Sequence, residues 1–183
     1  MCKKGGSKQT RRNIIPNRVD ISQRPQHIEK KEHIGDWEGD LIIGASGSGA
    51  LITLVDRASK YVLIGFVATK NAYEVRCKIQ DMMIGIKDKV NTITFDNGRE
   101  FTDHIAIQKT LGAKTYFATP YHSWERGLSE HTNGLIRKFF PKKIPFKDVS
   151  KENILRVQNL LNNRPRKVLN FKTPNEVFLP NTS

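Results

Sequence analysis

The chain has 183 residues, enough for one domain with a sizeable core and an arm or tail besides. Apolar residues make up 37%, and 31 Lys and Arg stand against 18 Asp and Glu, a formal charge of +13. No run approaches the ~18 continuous apolar residues of a transmembrane helix, and no apolar stretch follows the charged N-terminus, so neither a span nor a secretory signal is read. So much positive charge points to a polyanionic partner, nucleic acid first and an anionic membrane second, against the plainer reading of a merely soluble basic protein. Cys2 and Cys77 form no CxxC pair and no disulfide framework, which suits a reducing, cytoplasmic setting. The five histidines show no metal-ligand spacing, so no structural zinc site is expected.

Residues 1 to 31 read as a basic N-terminal arm or linker of net charge +7, interrupted by Gly5, Gly6, Pro16 and Pro25. With no sustained apolar period, it is expected to be extended or disordered, lying along phosphates or simply solvated. A folded core with C-terminal helices is expected over 32 to 183. It opens with three strand-like runs: Trp37 to Gly44 (WEGDLIIG), Ala50 to Asp56 (ALITLVD) and Tyr61 to Thr69 (YVLIGFVAT). The short polar gaps between them suit antiparallel hairpins. Val75, Ile79, Met82, Met83 and Ile86 recur at helical intervals and predict a helix over 72–86. Val90 to Phe95 predicts a strand that stops at Asp96-Asn97-Gly98. A short helix over 103–111 ends at Gly112, and Lys114 to Ala118 is a fifth strand.

Tyr121 to Pro141 begins as a polar loop and turns helical. At about 100° per residue, Asn133, Gly134 and Arg137 fall within about 60° of Glu130, while Leu128, Leu135, Ile136 and Phe139 lie on the far side. Ser150 predicts a capped helix through Arg164, and Thr173-Pro174-Asn175-Glu176 a capping box for a last short helix. Three antiparallel strands followed by two joined through crossover helices predict an α/β fold, a mixed five-stranded sheet flanked by helices.

Three carboxylates stand at special places. Asp40 lies inside the first strand, where a charge needs a partner or a metal. Asp96 ends the fourth strand. Glu130 lies on the polar helix face. If the first and fourth strands are neighbours, Asp40 and Asp96 converge at one end and the helix can bring Glu130 over them. Such a cluster repels itself unless a hard cation, Mg²⁺ or Mn²⁺, sits between the oxygens. Two such ions about 3.5–4 Å apart serve phosphoryl transfer. Each piece has a rival. Asp36 and Glu38 share the strand parity of Asp40, and Asp56 ends the second strand. Asp96-Asn97-Gly98 is also a good plain turn. Glu125 competes with Glu130, and His131 reads as a surface histidine. Trp124 is either a platform for a base or an anchor of the fold.

At these residues the chain resembles the D-D-E transposases and retroviral integrases. Trp37-Glu38-Gly39-Asp40, Asp96-Asn97-Gly98-Arg99-Glu100-Phe101, and Glu130 with Asn133 and Arg137 match the three motifs of that group, with 55 and 33 residues between the acids. IGDWEGDLIIG, LITLVDRASKY, ITFDNGREF, TPYHSWERGLSEHTNGLIRKFFPK, LNNRPRK and KTPNEVF look like the IS-thirty family of bacterial insertion-sequence transposases. They cover nearly everything from 14 to 179. The resemblance implies a ribonuclease-H-like core and metal-dependent cleavage at element ends, with transfer of the freed 3′-hydroxyl into target DNA. It implies that Asp40, Asp96 and Glu130 are catalytic and hold two Mg²⁺ or Mn²⁺ ions, and that Arg99, Trp124, Arg126, Asn133, Arg137 and Lys138 meet DNA. The implied partners are element-end and target DNA together with further copies of the chain or a full-length transposase, and the implied place is the bacterial cytoplasm, on the nucleoid when DNA is bound.

The sequence departs from the family at two points. Ser129 and His131 flank Glu130 where Asn is usual, which is expected to alter the surroundings of the acid and lower activity. The chain also starts near the linker before the core, where relatives carry helix-turn-helix regions, so a truncated form is expected. Two other readings stay open: a non-catalytic DNA-binding fragment that joins the oligomer of a full-length transposase, and a ribonuclease-H-like nuclease with no transfer step.

Overall fold

A computed structural model describes residues 15–45, 47–119 and 127–179. Five strands form one sheet: β1 (Asp36–Ile43), β2 (Ala50–Asp56), β3 (Val62–Val67), β4 (Thr92–Phe95) and β5 (Lys114–Phe117), in the order β3-β2-β1-β4-β5. β1, β2 and β3 pair antiparallel, while β1–β4 and β4–β5 are parallel. This is the mixed sheet that the strand pattern predicts, with β1 at its centre and beside β4. The helices are α1 (Ala72–Met83), α2 (His104–Leu111), α3 (Gly127–Phe139), α4 (Lys151–Asn162) and α5 (Pro174–Phe178). None of them is long and apolar enough to cross a membrane.

Strand alternation sorts β1 into two faces. Trp37 and Gly39 face one way, into a core with Ile52, Leu54, Ile93, Phe95 and the apolar sides of α1 and α2. Glu38, Asp40 and Ile42 face the other way, beneath α3 and α4, where Ile42, Leu51 and Val55 meet Ile136, Ile154 and Val157. Gly39 has no side chain for a reason: a Cβ there would come within 2.5 Å of the Phe95 ring. α5 closes the first core. Its capping box forms as the sequence predicts, and Phe178 stacks on Tyr61 and meets Trp37 edge-on.

Both sheet edges are covered, which removes the open hydrogen-bonding rows that invite aggregation. On β3, the Asn162 side chain both accepts from Val62 N and donates to Val62 O at 2.8 Å, and Gln158 accepts from Ile64 N. On β5, Phe117 N donates to Val19 O.

That second edge corrects the expectation for the basic arm. Residues 15–31 are neither disordered nor simply extended: they form two 3-10 turns, Ile21–Gln23 and Gln26–Lys30, and bury Ile15, Ile21 and Ile28. Each turn holds a single apolar anchor, so no helical period shows in the sequence. Arg18 and Arg24, which read as phosphate-binding charges, are used internally. Arg18 bonds Asn97, Asp20 and Ala118 O, while the buried Arg24 bonds Thr94 and Glu29. Residues 1–14 lie outside the described residues. A smaller correction concerns α1, which stops at Met83 rather than Ile86. A 3-10 stretch follows through Lys89, with Ile86 out of helical geometry next to Gly85.

Candidate active site

α3 is fixed to β1 at three successive points. Ser129 donates through its backbone N (3.0 Å) and hydroxyl (3.1 Å) to Glu38 Oε2. Asn133 Nδ2 donates to Asp40 Oδ2 at 2.7 Å. Arg137 Nη2 donates to Ile43 O at 2.5 Å. Residues four apart on a helix lie ~6 Å apart along the axis, and residues two apart on a strand ~6.7 Å. The two spacings nearly coincide from Glu38 to Asp40, and the third contact reaches the Ile43 carbonyl three residues on, so α3 runs along β1 with one polar contact per turn. Thr53, opposite Asp40 in the β1–β2 register, donates to Asn133 Oδ1 at 3.0 Å, which leaves the amide nitrogen for the carboxylate.

Asp40 and Asp96 are brought together by the sheet. The parallel register pairs Glu38 with Thr94, two residues before Asp40 and Asp96 respectively, and the charges of both carboxylates reach Glu100. Asp40 Oδ1 accepts from Leu41 N, and Asp96 Oδ1 accepts from Gly98 N, so the Asp-Asn-Gly turn forms as well as the carboxylate site. Glu100, in the 3-10 turn Arg99–Phe101, folds back over Gly98, where a Cβ would lie 2.5 Å from its carboxyl carbon. Burial pushes the Glu100 carboxyl above its usual range, and the charges of Asp96 and Asp40 push it further. Glu100 is thus a third acid in the electrostatic field of the first two. One signal for it stands in the sequence, the glycine two residues before it.

Glu130 is exposed and sits one turn before Asn133 on the same side of α3. Among the described residues, no three His, Cys, Asp or Glu side chains are gathered so as to hold one metal ion, and Glu130 does not join Asp40 and Asp96 in such a group. The carboxylate oxygens of Asp40 and Asp96, whose charges add to the effect of burial on Glu100, are nevertheless donors of the kind that a hard divalent cation takes.

Of the other candidates, Asn133 is committed to Asp40 and Thr53, and Arg137 lies over the Phe146 ring at 5.7 Å with its guanidinium pushed down by burial. The buried stripe of α3 is Ser129, Thr132 and Ile136, whereas Phe139, expected on the apolar face, is exposed. Lys138 and His131 are exposed, and so is Arg99, in the turn that follows Asp96. Trp124, Glu125 and Arg126 lie outside the described residues. Sequence reasoning missed the role of Glu38. It is 1% exposed, carries Ser129, and is paired with the buried Arg57 at 3.4 Å. Arg57 also bonds Glu29, which in turn bonds Arg24, so the segment before β1 is joined to α3 through a chain of charges. The sequence shows only that Glu38 shares the strand parity of Asp40, which does not tell the two acids apart.

Comparison with known proteins agrees with this architecture. Residues 31–123 match the integrase core domain. The transposase for insertion sequence element IS4351 of Bacteroides fragilis is 47% identical over 96% of this chain and 54% of its own length. The transposase InsI for insertion sequence element IS30A of Escherichia coli is 38% identical over 90% of this chain and 43% of its own. The chain thus spans about half the length of these relatives. Among solved structures, a chain of the simian T-cell lymphotropic virus intasome in complex with PP2A regulatory subunit B56 gamma superposes with a TM-score of 0.66 at 19% identity, covering 82% of this chain and 56% of that one. At that identity the likeness speaks for the fold alone, and it is consistent with a ribonuclease-H-like core. This chain belongs to the integrase core domain family, in the line of the IS30 insertion-sequence transposases.

Proposed function

We propose that the chain is the catalytic domain of a D-D-E transposase, cleaving DNA at element ends and joining the freed 3′-hydroxyl to target DNA. The observation that carries this reading is the 2.7 Å hydrogen bond from Asn133 to Asp40, which seats the helix bearing Glu130 on the strand whose neighbour ends in Asp96. In this reading Asp40, Asp96 and Glu130 hold two Mg²⁺ or Mn²⁺ ions. When bound, such a pair activates the attacking oxygen and stabilises the leaving one. Asn133 keeps Asp40 oriented, the Glu38–Ser129 contact holds the first turn of α3, and the side chain of Glu130 closes over the strand ends from the exposed edge of the helix. Arg99, Trp124, Arg126 and Lys138 are proposed to meet DNA phosphates or bases, with Arg137 and Asn133 serving DNA only alongside their internal contacts. The working unit is proposed to be an oligomer of this chain or of a full-length transposase, in the bacterial cytoplasm on nucleoid DNA.

The test is strand cleavage and strand transfer on duplexes carrying element ends, with Mg²⁺ or Mn²⁺. Activity is expected in the wild type and absent in Asp40→Asn, Asp96→Asn and Glu130→Gln; full activity in Glu130→Gln would remove that residue from the site. A second reading, a non-catalytic DNA-binding partner of a full-length transposase, is favoured by one observation, that Glu130 stands outside any three-ligand group among the described residues. It is supported if the chain binds DNA and full-length enzyme but turns over neither end nor target.

A further inference from the structure

The basic residues do not all cluster near Asp40 and Asp96. A cavity of about 610 Å³ opens beside the first turns of α3 and is lined by Lys30, Lys31, Lys60, His131 and Arg166. Its volume is in the range of ligand clefts. Among the described residues no acidic side chain lines it; the rest of the wall is neutral, including Gly127, Leu128 and Thr132 of α3. His131 is adjacent to Glu130 in sequence but about 100° away around the helix, so the cavity does not share the face that meets Asp40.

The cations arrive from three separate segments. Lys30 and Lys31 end the second 3-10 turn, Lys60 lies in the β2–β3 turn, and Arg166 follows α4 in the Asn162-Asn163-Arg164-Pro165-Arg166-Lys167 stretch. Lys31 and Lys60 occupy left-handed backbone positions, φ 56° and 62°, which favour glycine or asparagine. Lysine at both places is not a choice the backbone makes. Burial and then the charge of Lys31 push the Lys60 ammonium down, more than Asp56 and Glu38 hold it up. Arg166 donates to Leu161 O at 3.3 Å, and its Nε is buried without a partner among the described residues. The walls therefore bring like charges together, and the nearby Asp56 and Glu38 offset the repulsion at Lys60 only in part.

We propose that this cavity is a second nucleic-acid contact, seating backbone phosphates of DNA between Lys30/Lys31, Lys60 and Arg166, around α3 from the carboxylates. An anion there relieves the repulsion between the lysines and bonds the donors that face inward. The site gives Arg166 a task beyond its bond to Leu161 O. It rests on the transposase reading only in taking DNA as the polyanion, and its test needs no catalysis.

Binding of a labelled DNA duplex to the purified chain is measured in EDTA across a salt series, for the wild type, Lys30→Gln/Lys31→Gln and Arg166→Gln. Lys60 is left intact because its ammonium also holds Arg57 O. Removing one phosphate-binding cation makes the slope of log affinity against log salt shallower by about 0.9 and weakens binding roughly tenfold, and the lysine pair about doubles that change in slope; the lysine pair is expected to keep the wild-type melting temperature, whereas Arg166→Gln also loses the bond to Leu161 O. Lys109→Gln/Lys114→Gln, exposed on the α2 side of the sheet, is the matched control and is expected to keep the wild-type slope. Absence of DNA binding by the wild type, an unchanged slope in both cavity variants, or an equal weakening in the control overturns the proposal. Failure of strand transfer with DNA binding intact strikes the catalytic reading and leaves this one standing.

Discussion

The two faces of the sheet are built from the same strands by opposite rules. Towards α1 and α2, the inward positions are mostly apolar or glycine, with Thr115 bonded to His104 and Gln108 as a polar exception, and aromatic rings stack: Phe95 on Phe101 at 4.3 Å, with Phe117 at 6.1 Å. Towards α3, the strands carry Glu38, Asp40, Thr53 and Thr94, and the helix is held by hydrogen bonds until the apolar cluster around Ile136 begins. The first face is tolerant in chemistry and intolerant in volume. The second is the reverse, because a buried donor or carboxylate with its partner removed keeps the full cost of its dehydration. The α1/α2 face is thus specified mainly by volume, while the face with the carboxylates is specified by direction and pairing as well as by its own apolar cluster.

Three substitutions should break this contrast in turn. Phe95→Ala empties a fully buried site over Gly39 and is expected to lower unfolding free energy by about 3–5 kcal/mol in urea titration. A drop below about 1 kcal/mol would mean that the ring does not support the sheet. Glu38→Gln leaves the buried Arg57 facing only Glu29, and about 3 kcal/mol is expected, the low end for breaking a buried pair. The double variant Glu38→Gln/Arg57→Met should recover part of that stability, since the stranded charge goes with its partner; no recovery would mean that the pair is not the cause. Asn133→Ala should be milder for folding, about 1–2 kcal/mol, yet it should reduce metal-dependent strand cleavage by about 10–100-fold, as outer partners of ligating carboxylates do. Equal, small effects on both would place Asn133 among ordinary packing residues.

The same contrast explains what is legible in the sequence. Apolar runs and short apolar alternations mark the strands, because Trp37, Leu54, Ile93 and Phe95 have no reason to be where they are except burial. The helix caps at Ser150 and Thr173 are legible for a local reason, a side chain reaching its own backbone. Asp40 and Asp96 are legible as charges at strand positions, on strands that the parallel register sets side by side. Glu38 is not, because its meaning lies in Ser129, 91 residues away, and nothing local distinguishes it from a rival to Asp40. The segment 15–31 resists reading for a related cause. Arg18 and Arg24 look like solvated charge until Asn97, Ala118 and Thr94 arrive from distant strands to meet them. Long-range polar pairing has no period, and periodicity is what a single sequence shows.

The smallest expected effect tests whether the charge chain before β1 belongs to the fold or only decorates it. Burial pushes the Glu29 carboxyl up, but the hydrogen bonds and charges of Arg24 and Arg57 outweigh it, so its pKa in the folded chain lies below the ordinary 4.5. The folded state then binds this proton less readily than the unfolded one. The stabilisation is present in full above the unfolded value and is lost as pH falls through the folded one. Glu29→Gln should therefore lower the melting temperature slightly near neutrality and converge with the wild type on the acid side of 4.5. A difference between the two that persists unchanged into acid would show that Glu29 acts through packing rather than charge. A difference absent at neutrality would mean that half-exposed Glu29 is screened by solvent, and that the link from the segment before β1 to α3 stops at Arg57.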